Sequence, residues 1–412
     1  MKRSQAIVSF SLILIIASTI ALALLVNTFS AEPILESQKT YGGTSGESLV
    51  QTNDGGYVIA ADVAGQEPEL LKTDSTGNLI WNTSIGYSAV SNLAVFSSSD
   101  GGYLAVERSN YSEVAALLTK VDGEGIVKWT VPYIVSAYPS YVNYAAQASD
   151  GGILVVGGIK NPQSATDQTW ILKVSSSSNV QLNVTYSNFT ASLITQTLDG
   201  SYVFAGDSGG QDPSLFRTYL AKIDGAGKVQ WQMSYGNQTG YRPRALIATS
   251  DGGYMVAGAK YLPSGSAAAF AAKTDSEGKL QWTRTFGENS GFRVINQNAD
   301  GYLFTGGTYN NQQQYTARIV QTDFTGGVKW QTSYNGGDNG YVYSLVPTQD
   351  GGYAFTGATG ANSTNTQIWL VKVGSGGALA NWPYIADVAA LVVLVTVVAA
   401  VELVRRHMSK SI

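Results

Sequence analysis

LAKIDGAGKVQW occupies Leu220 to Trp231, and the chain comes close to writing that phrase five times. The other copies are LLKTDSTGNLIW (Leu70 to Trp81), LLTKVDGEGIVKW (Leu117 to Trp129), AAKTDSEGKLQW (Ala271 to Trp282) and IVQTDFTGGVKW (Ile319 to Trp330). An Asp, a Gly and a Trp keep their offsets while little else does. A second phrase alternates with the first, as in NDGGYVIAA at Asn53 and SDGGYMVAG at Ser250. Its anchors are Asp54, Asp100, Asp150, Asp199, Asp251, Asp300 and Asp350, separated by 46, 50, 49, 52, 49 and 50 residues. Self-similarity at about 40 to 50 residues marks a propeller or a solenoid.

Each unit reads as four strands. An apolar strand such as SLVQT (Ser48 to Thr52) runs into Asp-Gly-Gly, whose glycine supplies the positive φ of a tight hairpin. GYVIAA follows, then a variable loop, then ELLKT. The Asp-x-x-Gly of the opening phrase makes the second tight turn, and the fourth strand carries the Trp. Four antiparallel strands in seven units predict a seven-bladed β-propeller, over 35–380. An open solenoid is the alternative, but it requires capping units, and none is visible. SQKTYGG at Ser37 resembles the fourth-strand pieces WTRTFGE (Trp282) and WQTSYNG (Trp330). The last unit shows only YSLVPT, GYAFTG and IWLVKV. The N-terminal strand is therefore expected to complete blade seven and close the ring, removing a free sheet edge. Trp382 is either the seventh blade's own fourth-strand Trp, shifted by one residue, or part of a membrane-interface belt.

Lys72, Lys120, Lys222, Lys273 and Gln321 each stand nine residues before a Trp. From Lys173 the same offset lands on Leu182, and the turn between reads SSSS. A device that accepts Leu for Trp and loses its Asp is packing, not chemistry. Trp81, Trp129, Trp231, Trp282 and Trp330 are expected to wedge between blades, with each phrase's Asp bonding the amides of its own turn.

The repeat resembles two propeller families. Gly157-Gly158 and Gly306-Gly307, the period near 50 and the later Trp are similar to kelch-type repeats. The D-x-x-G-x-x-x-W phrase resembles the tryptophan-docking repeat of quinoprotein-like propellers. Over about Ser37 to Ala380 the pattern looks most like the DGGY…KTD..G..W repeats of secreted or membrane-anchored surface proteins of archaea and bacteria. The resemblance implies the fold and says little of activity, because propellers host many functions. Quinoproteins hold pyrroloquinoline quinone with residues outside the docking motif, usually with Ca²⁺ and often a Cys pair. No such residues can be matched here, so no cofactor is expected.

Composition supports an all-β chain: 13% charged residues, 46 Gly, 24 Tyr, 8 Trp and no Cys in 412 residues. A net charge of −4 and the lack of a basic stripe speak against nucleic acid. Without Cys there is no disulfide or thiolate site. Lys2 and Arg3 precede an apolar run from Ala6 to Val26, and Thr28-Phe29-Ser30 offers a cleavage site before Ala31. Residues 1–30 read as a secretory signal, or as an uncleaved anchor. Ala386 to Val404 is long enough to span a bilayer, and Arg405, Arg406 and Lys410 in the tail, 405–412, place it in the cytoplasm. The expected location is the cell membrane, with the propeller outside.

Catalytic groups are scarce. The only histidine, His407, lies in that tail, so the propeller has none for a triad or a metal. Most Asp residues fall in the two turn motifs; a carboxylate pair for glycoside hydrolysis could come from Glu47, Asp207, Asp212, Glu288 or Asp338, and nothing in the sequence pairs any two. Binding is better supported. Strand alternation puts both tight turns on one face and both variable connections on the other, where Tyr133, Tyr138, Tyr141, Tyr235, Tyr241, Tyr334 and Tyr341 fall. Counting back seven from each turn Asp gives Glu47, Leu93, Asn143, Ser192, Arg244, Arg293 and Tyr343, at the start of each innermost strand. These positions are expected at the mouth of the central channel, with Arg242 close by and adjacent guanidinium groups suited to a carboxylate or sulfate. The competing reading pairs the arginines with Glu47, Glu288 or Asp338. Six sequons, at Asn82, Asn110, Asn183, Asn188, Asn237 and Asn362, fall on outer strands or variable loops.

The reading that results is a membrane-anchored surface propeller that binds a protein, a glycan or an envelope component. An enzyme of quinoprotein or glycan-active type and a purely structural spacer are the alternatives. An enzyme predicts a deep polar pocket with two carboxylates at the channel mouth. A binder predicts tyrosines clustered over several blades. A spacer predicts neither.

Overall fold

A computed structural model describes residues 32–374 apart from 86–93, 109–113, 164–166, 188–189, 209–216, 236–239, 310–313, 337–338 and 361–365. One compact unit spans Leu35–Val373. It contains seven four-stranded antiparallel sheets, the blades of a propeller. After β1 (Leu35–Tyr41), blades one to six are β2–β5 (45–84), β6–β9 (94–133), β10–β13 (140–186), β14–β17 (191–235), β18–β21 (241–288) and β22–β25 (290–334). Blade seven is β26–β28 (340–373), and β1 is its fourth strand, pairing Gln38 with Val371 and Thr40 with Trp369. The expected closure by the N-terminal strand is observed. The join is also tied at the inner edge, where Gln349 N donates to Gln51 Oε1 at 2.8 Å.

Both repeated turns are three-residue hairpins. In blade one, Thr52 N donates to Gly56 O at 2.9 Å, and Gly55 sits at φ +80°. In the second turn Asp74 N donates to Asn78 O at 2.9 Å, and Gly77 sits at φ +83°. A type I turn closed by a left-handed glycine is a standard three-residue solution. As expected, Asp74 caps its own turn, accepting from Thr76 N at 2.9 Å and Asn78 N at 2.8 Å.

Other residues of the two motifs meet across blades. Trp81 packs 6.1 Å from Tyr103, the motif tyrosine of blade two, and donates to Gly123 O at 3.2 Å. Trp231 meets Tyr254 at 5.7 Å, and Trp282 meets Tyr302 at 6.3 Å. A Cβ on Gly125 would sit 2.8 Å from the Trp81 ring, so the turn glycine also makes room for its neighbour's Trp. The wedges are half-buried, each with one edge in solvent. Leu182 fills the equivalent place in blade three at 7% exposure, and the SSSS turn holds Ser178 at φ +65°.

A second cross-motif link is an ion pair. Lys72 Nζ lies 2.8 Å from Asp54, Lys120 2.5 Å from Asp100, Lys222 2.6 Å from Asp199, Lys273 2.8 Å from Asp251 and Lys372 2.8 Å from Asp350; Lys173 pairs with Asp150. These lysines are buried under exposed carboxylates. The ammonium groups hold the carboxyls of Asp54 and Asp100 down to about 2. Blade six departs from the pattern. Its turn is one residue shorter, Gln321 replaces Lys, and Asn298 donates to Gln321 at 2.9 Å in a neutral version of the pair.

Among the described residues no helix is long and apolar enough to cross a membrane. The apolar segments 1–30 and 386–404, the tail 405–412 and Trp382 lie outside the described residues.

Candidate functional site

The innermost strands share one irregularity. Each of β2 (Ser45–Gln51), β10 (Ser140–Gln147), β14 (Ala191–Gln196), β18 (Tyr241–Ala248), β22 (Ser290–Asn298) and β26 (Gly340–Pro347) carries a bulge near its start. The residues left out of register are Glu47, Asn143, Ser192, Arg244, Arg293 and Tyr343. They are the positions found by counting back seven from each turn Asp. A bulge frees one residue from the ladder and re-aims its side chain. Here six re-aimed side chains line one central cavity of about 570 Å³, whose wall includes the innermost strands of all seven blades. The seventh position, Leu93, lies outside the described residues.

Charge is concentrated on one side of this ring. Arg242, Arg244 and Arg293 come from adjacent blades, and Asp207 and Glu47 face them. Arg242 Nε is 3.8 Å from Asp207 Oδ2. Burial pushes the Asp207 carboxyl up, against the pull of Arg242 and Arg244. Glu47 is also raised by burial, although Ser45 Oγ donates to it at 2.5 Å and Arg293 draws it down. Arg293 lies 5.0 Å over the Tyr343 ring, a cation–π contact. The Tyr343 phenol is pushed up to about 12 by burial and then by Glu47. Burial lowers Arg244 as well, followed by repulsion from Arg293 and Arg242. Its Nε is buried without a hydrogen-bond partner.

The aromatic residues separate into two groups. Tyr341 stacks on Tyr315 at 4.5 Å and 15°, and runs parallel to Tyr343 at 6.5 Å. These rings stand beside the arginines. Tyr133, Tyr235 and Tyr334 do not. Each follows its blade's Trp by four residues, which sends it to the blade interface. Tyr133 donates to Ser178 O at 2.8 Å, Tyr235 donates to Gly278 O, and Tyr334 is buried in a blade-to-blade cluster. Tyr241 packs edge-on against Phe270 at 4.9 Å and lines a separate apolar cavity between blades four and five. Tyr141 donates to Asp167 at 2.6 Å. Asn143, although in the channel, spends its amide on Ala191 O at 2.8 Å.

Of those five candidate carboxylates, Glu47 and Asp207 meet in the channel, and Glu288 is exposed on the outer strand of blade five. Asp212 and Asp338 lie outside the described residues. Asn82 and Asn183 are exposed on outermost strands; Asn110, Asn188, Asn237 and Asn362 lie outside the described residues. Tyr261, Tyr309 and Tyr315 also stand at the site and were not singled out from the sequence. Tyr309 and Tyr315 flank the loop between the second and third strands of blade six, the kind of connection the topology assigns to this face. Among the described residues no group of three or more His, Asp or Glu side chains is placed to hold a metal ion.

No protein-family model and no curated protein sequence matches this chain. Solved structures resemble it at low identity. A protein of unknown function from Dyadobacter fermentans DSM 18053 is 13% identical, with a TM-score of 0.48 over 69% of this chain and 94% of that one. The Dos1 propeller is 11% identical, with a TM-score of 0.49 over 83% and 95%. Sqt1 from Chaetomium thermophilum is 9% identical, with a TM-score of 0.46 over 84% and 99%.

Proposed function

We propose that this protein is a non-catalytic binding module of the cell surface, held in the membrane by its C-terminal apolar segment, and that the loop-face mouth of its central channel receives the ligand. The observation that carries the reading is the bulge ring. Six blades spend a register defect on one position, and that position bears a different side chain in nearly every blade. A purely structural position would repeat its residue, as the turn Asp does. Three guanidinium groups against two carboxylates favour an anionic ligand group, with a protein, a glycan or an envelope component as its bearer. The test is retention of the full chain, in detergent, on immobilised envelope material, beside an Arg244→Ala/Arg293→Ala variant. Specific retention lost in the variant supports the reading; equal retention of both contradicts it.

A glycan-active enzyme is the second reading, and one observation favours it: Glu47 and Asp207 share the channel, both with raised carboxyls. Against it, each faces an arginine, whose charge draws the carboxyl back down and occupies it. Turnover of an acidic oligosaccharide that disappears in Glu47→Gln would favour this reading over the first.

A further inference from the structure

The chemistry of the ligand is narrowed by a second cavity beside the channel. It measures about 350 Å³ and is lined from blades five, six and seven. Both volumes fall in the range of small-molecule sites, about 300 to 1,000 Å³. Arg244 and Arg293 line both cavities, so these are two rooms sharing a cationic wall. The rooms differ in what faces that wall. On the channel side Glu47 and Asp207 oppose the arginines. On the other side no described lining residue is acidic, and the surroundings are tyrosines, serines and an asparagine.

The tyrosines form a fixed aromatic surface. Tyr341 stacks on Tyr315, and Tyr309 meets Tyr315 edge-on at 4.9 Å and 71°. Tyr309 keeps 46% of its surface exposed. Burial pushes the Tyr315 phenol up, and Arg293 and Arg244 draw it down against that larger effect, which places both guanidinium groups close to the aromatic wall. Arg244 has a buried Nε with no acceptor. A buried donor without an acceptor is a standing cost that a ligand oxygen would relieve.

We infer that this second cavity receives an acidic sugar, its carboxylate between Arg244 and Arg293 and its ring against Tyr309, Tyr315 and Tyr341. The inference rests on the binding reading of the channel mouth. A planar carboxylate accepts paired N–H bonds from a guanidinium. The C–H face of a pyranose suits an aromatic wall, and its hydroxyls suit the Tyr261, Ser266 and Asn289 side chains around the rim. An acidic peptide would satisfy the arginines and leave the aromatic wall unused.

Calorimetric titration of the full chain in detergent, with four probes, tests this. The probes are trigalacturonate, neutral maltotriose, triglutamate and sodium sulfate. The expected result is trigalacturonate binding about tenfold or more tighter than any of the others. Arg293→Ala is expected to weaken it by about tenfold, and Tyr309→Ala, an exposed and safely foldable change, by about threefold. Triglutamate or sulfate binding as tightly as trigalacturonate would leave the anion site standing and overturn the sugar. Maltotriose binding equally well would remove the arginines from the account. Silence from all four probes would overturn both the sugar and the binding site it rests on.

Discussion

The two faces of the ring obey different rules. On the turn face one constellation recurs: a buried Lys under an Asp, a turn Gly, and a Trp reaching the next blade's Tyr. Blade three replaces Trp by Leu and blade six replaces Lys–Asp by Gln–Asn, and both blades keep the fold. On the loop face the backbone recurs but the side chain does not. The same bulge presents Glu47, Asn143, Ser192, Arg244, Arg293 and Tyr343. A repeated side chain reports a repeated packing problem. A repeated backbone defect with unlike side chains reports a place where blades contribute separately to one surface.

The comparison breaks most visibly if a turn-face change alters binding. Trp282→Ala removes a half-buried wedge between blades five and six. Its expected cost is about 2–3 kcal/mol in urea unfolding, with sulfate affinity unchanged. Gly125→Ala is expected to cost about 1–2 kcal/mol, because φ is +86° and the new Cβ meets Trp81 at 2.8 Å. An unchanged midpoint would show that the turn glycine is not needed by its neighbour's Trp.

The loop face is sharpened by its own carboxylates. Glu47 faces Arg293, Tyr343, Ser45 and Asp62, and its carboxyl is raised mainly by burial. In its ionised form it competes for Arg293. As pH falls through its raised value the competing charge disappears, so sulfate, whose charge stays constant, should bind more tightly as the solution is acidified. Glu47→Gln should tighten sulfate binding about threefold where Glu47 is ionised and make that dependence shallower, leaving the part due to Asp207. Affinity that falls on acidification would show that Glu47 helps the ligand rather than opposing it.

Acid should weaken the turn face instead. The Asp54, Asp100 and Asp350 carboxyls are held at about 2, below the unfolded value of about 3.9. Lys72 and Lys120 are the leading cause for the first two, and Lys372 opposes burial in the third. A depressed folded value stabilises the fold above the unfolded one and stops doing so as pH falls through it. Stability should therefore decline between about pH 4 and pH 2, and Lys72→Met should make the decline shallower. The carboxylates are more than half exposed, so each pair's share is small.

Much of this architecture was legible because the repeat is written in turn chemistry. Asp-Gly-Gly and Asp-x-x-Gly each name a hairpin, and SQKTYGG named the closing strand. The channel ring was legible too, since a fixed distance from a turn fixes a height in the sheet. The Lys–Asp pair escaped the sequence reading, although both residues repeat, because 18 to 23 residues and a whole loop separate them. Loop tyrosines were harder still. Tyr235 and Tyr341 both look like loop aromatics, yet only register distinguishes the blade tie from the site. Tyr309 and Tyr315 belong to no repeat and carried no signal beyond their place beside a variable loop.

The decisive measurement pairs urea unfolding with sulfate titration for the Arg244→Ala/Arg293→Ala variant and Trp282→Ala. The account predicts a double dissociation. The arginine variant should keep wild-type stability to within about 1 kcal/mol, since it removes mutually repelling charges, and lose sulfate binding. Trp282→Ala should lose stability and keep binding. An arginine variant as unstable as the Trp variant, with its binding intact, would make the arginines rim braces and contradict the account.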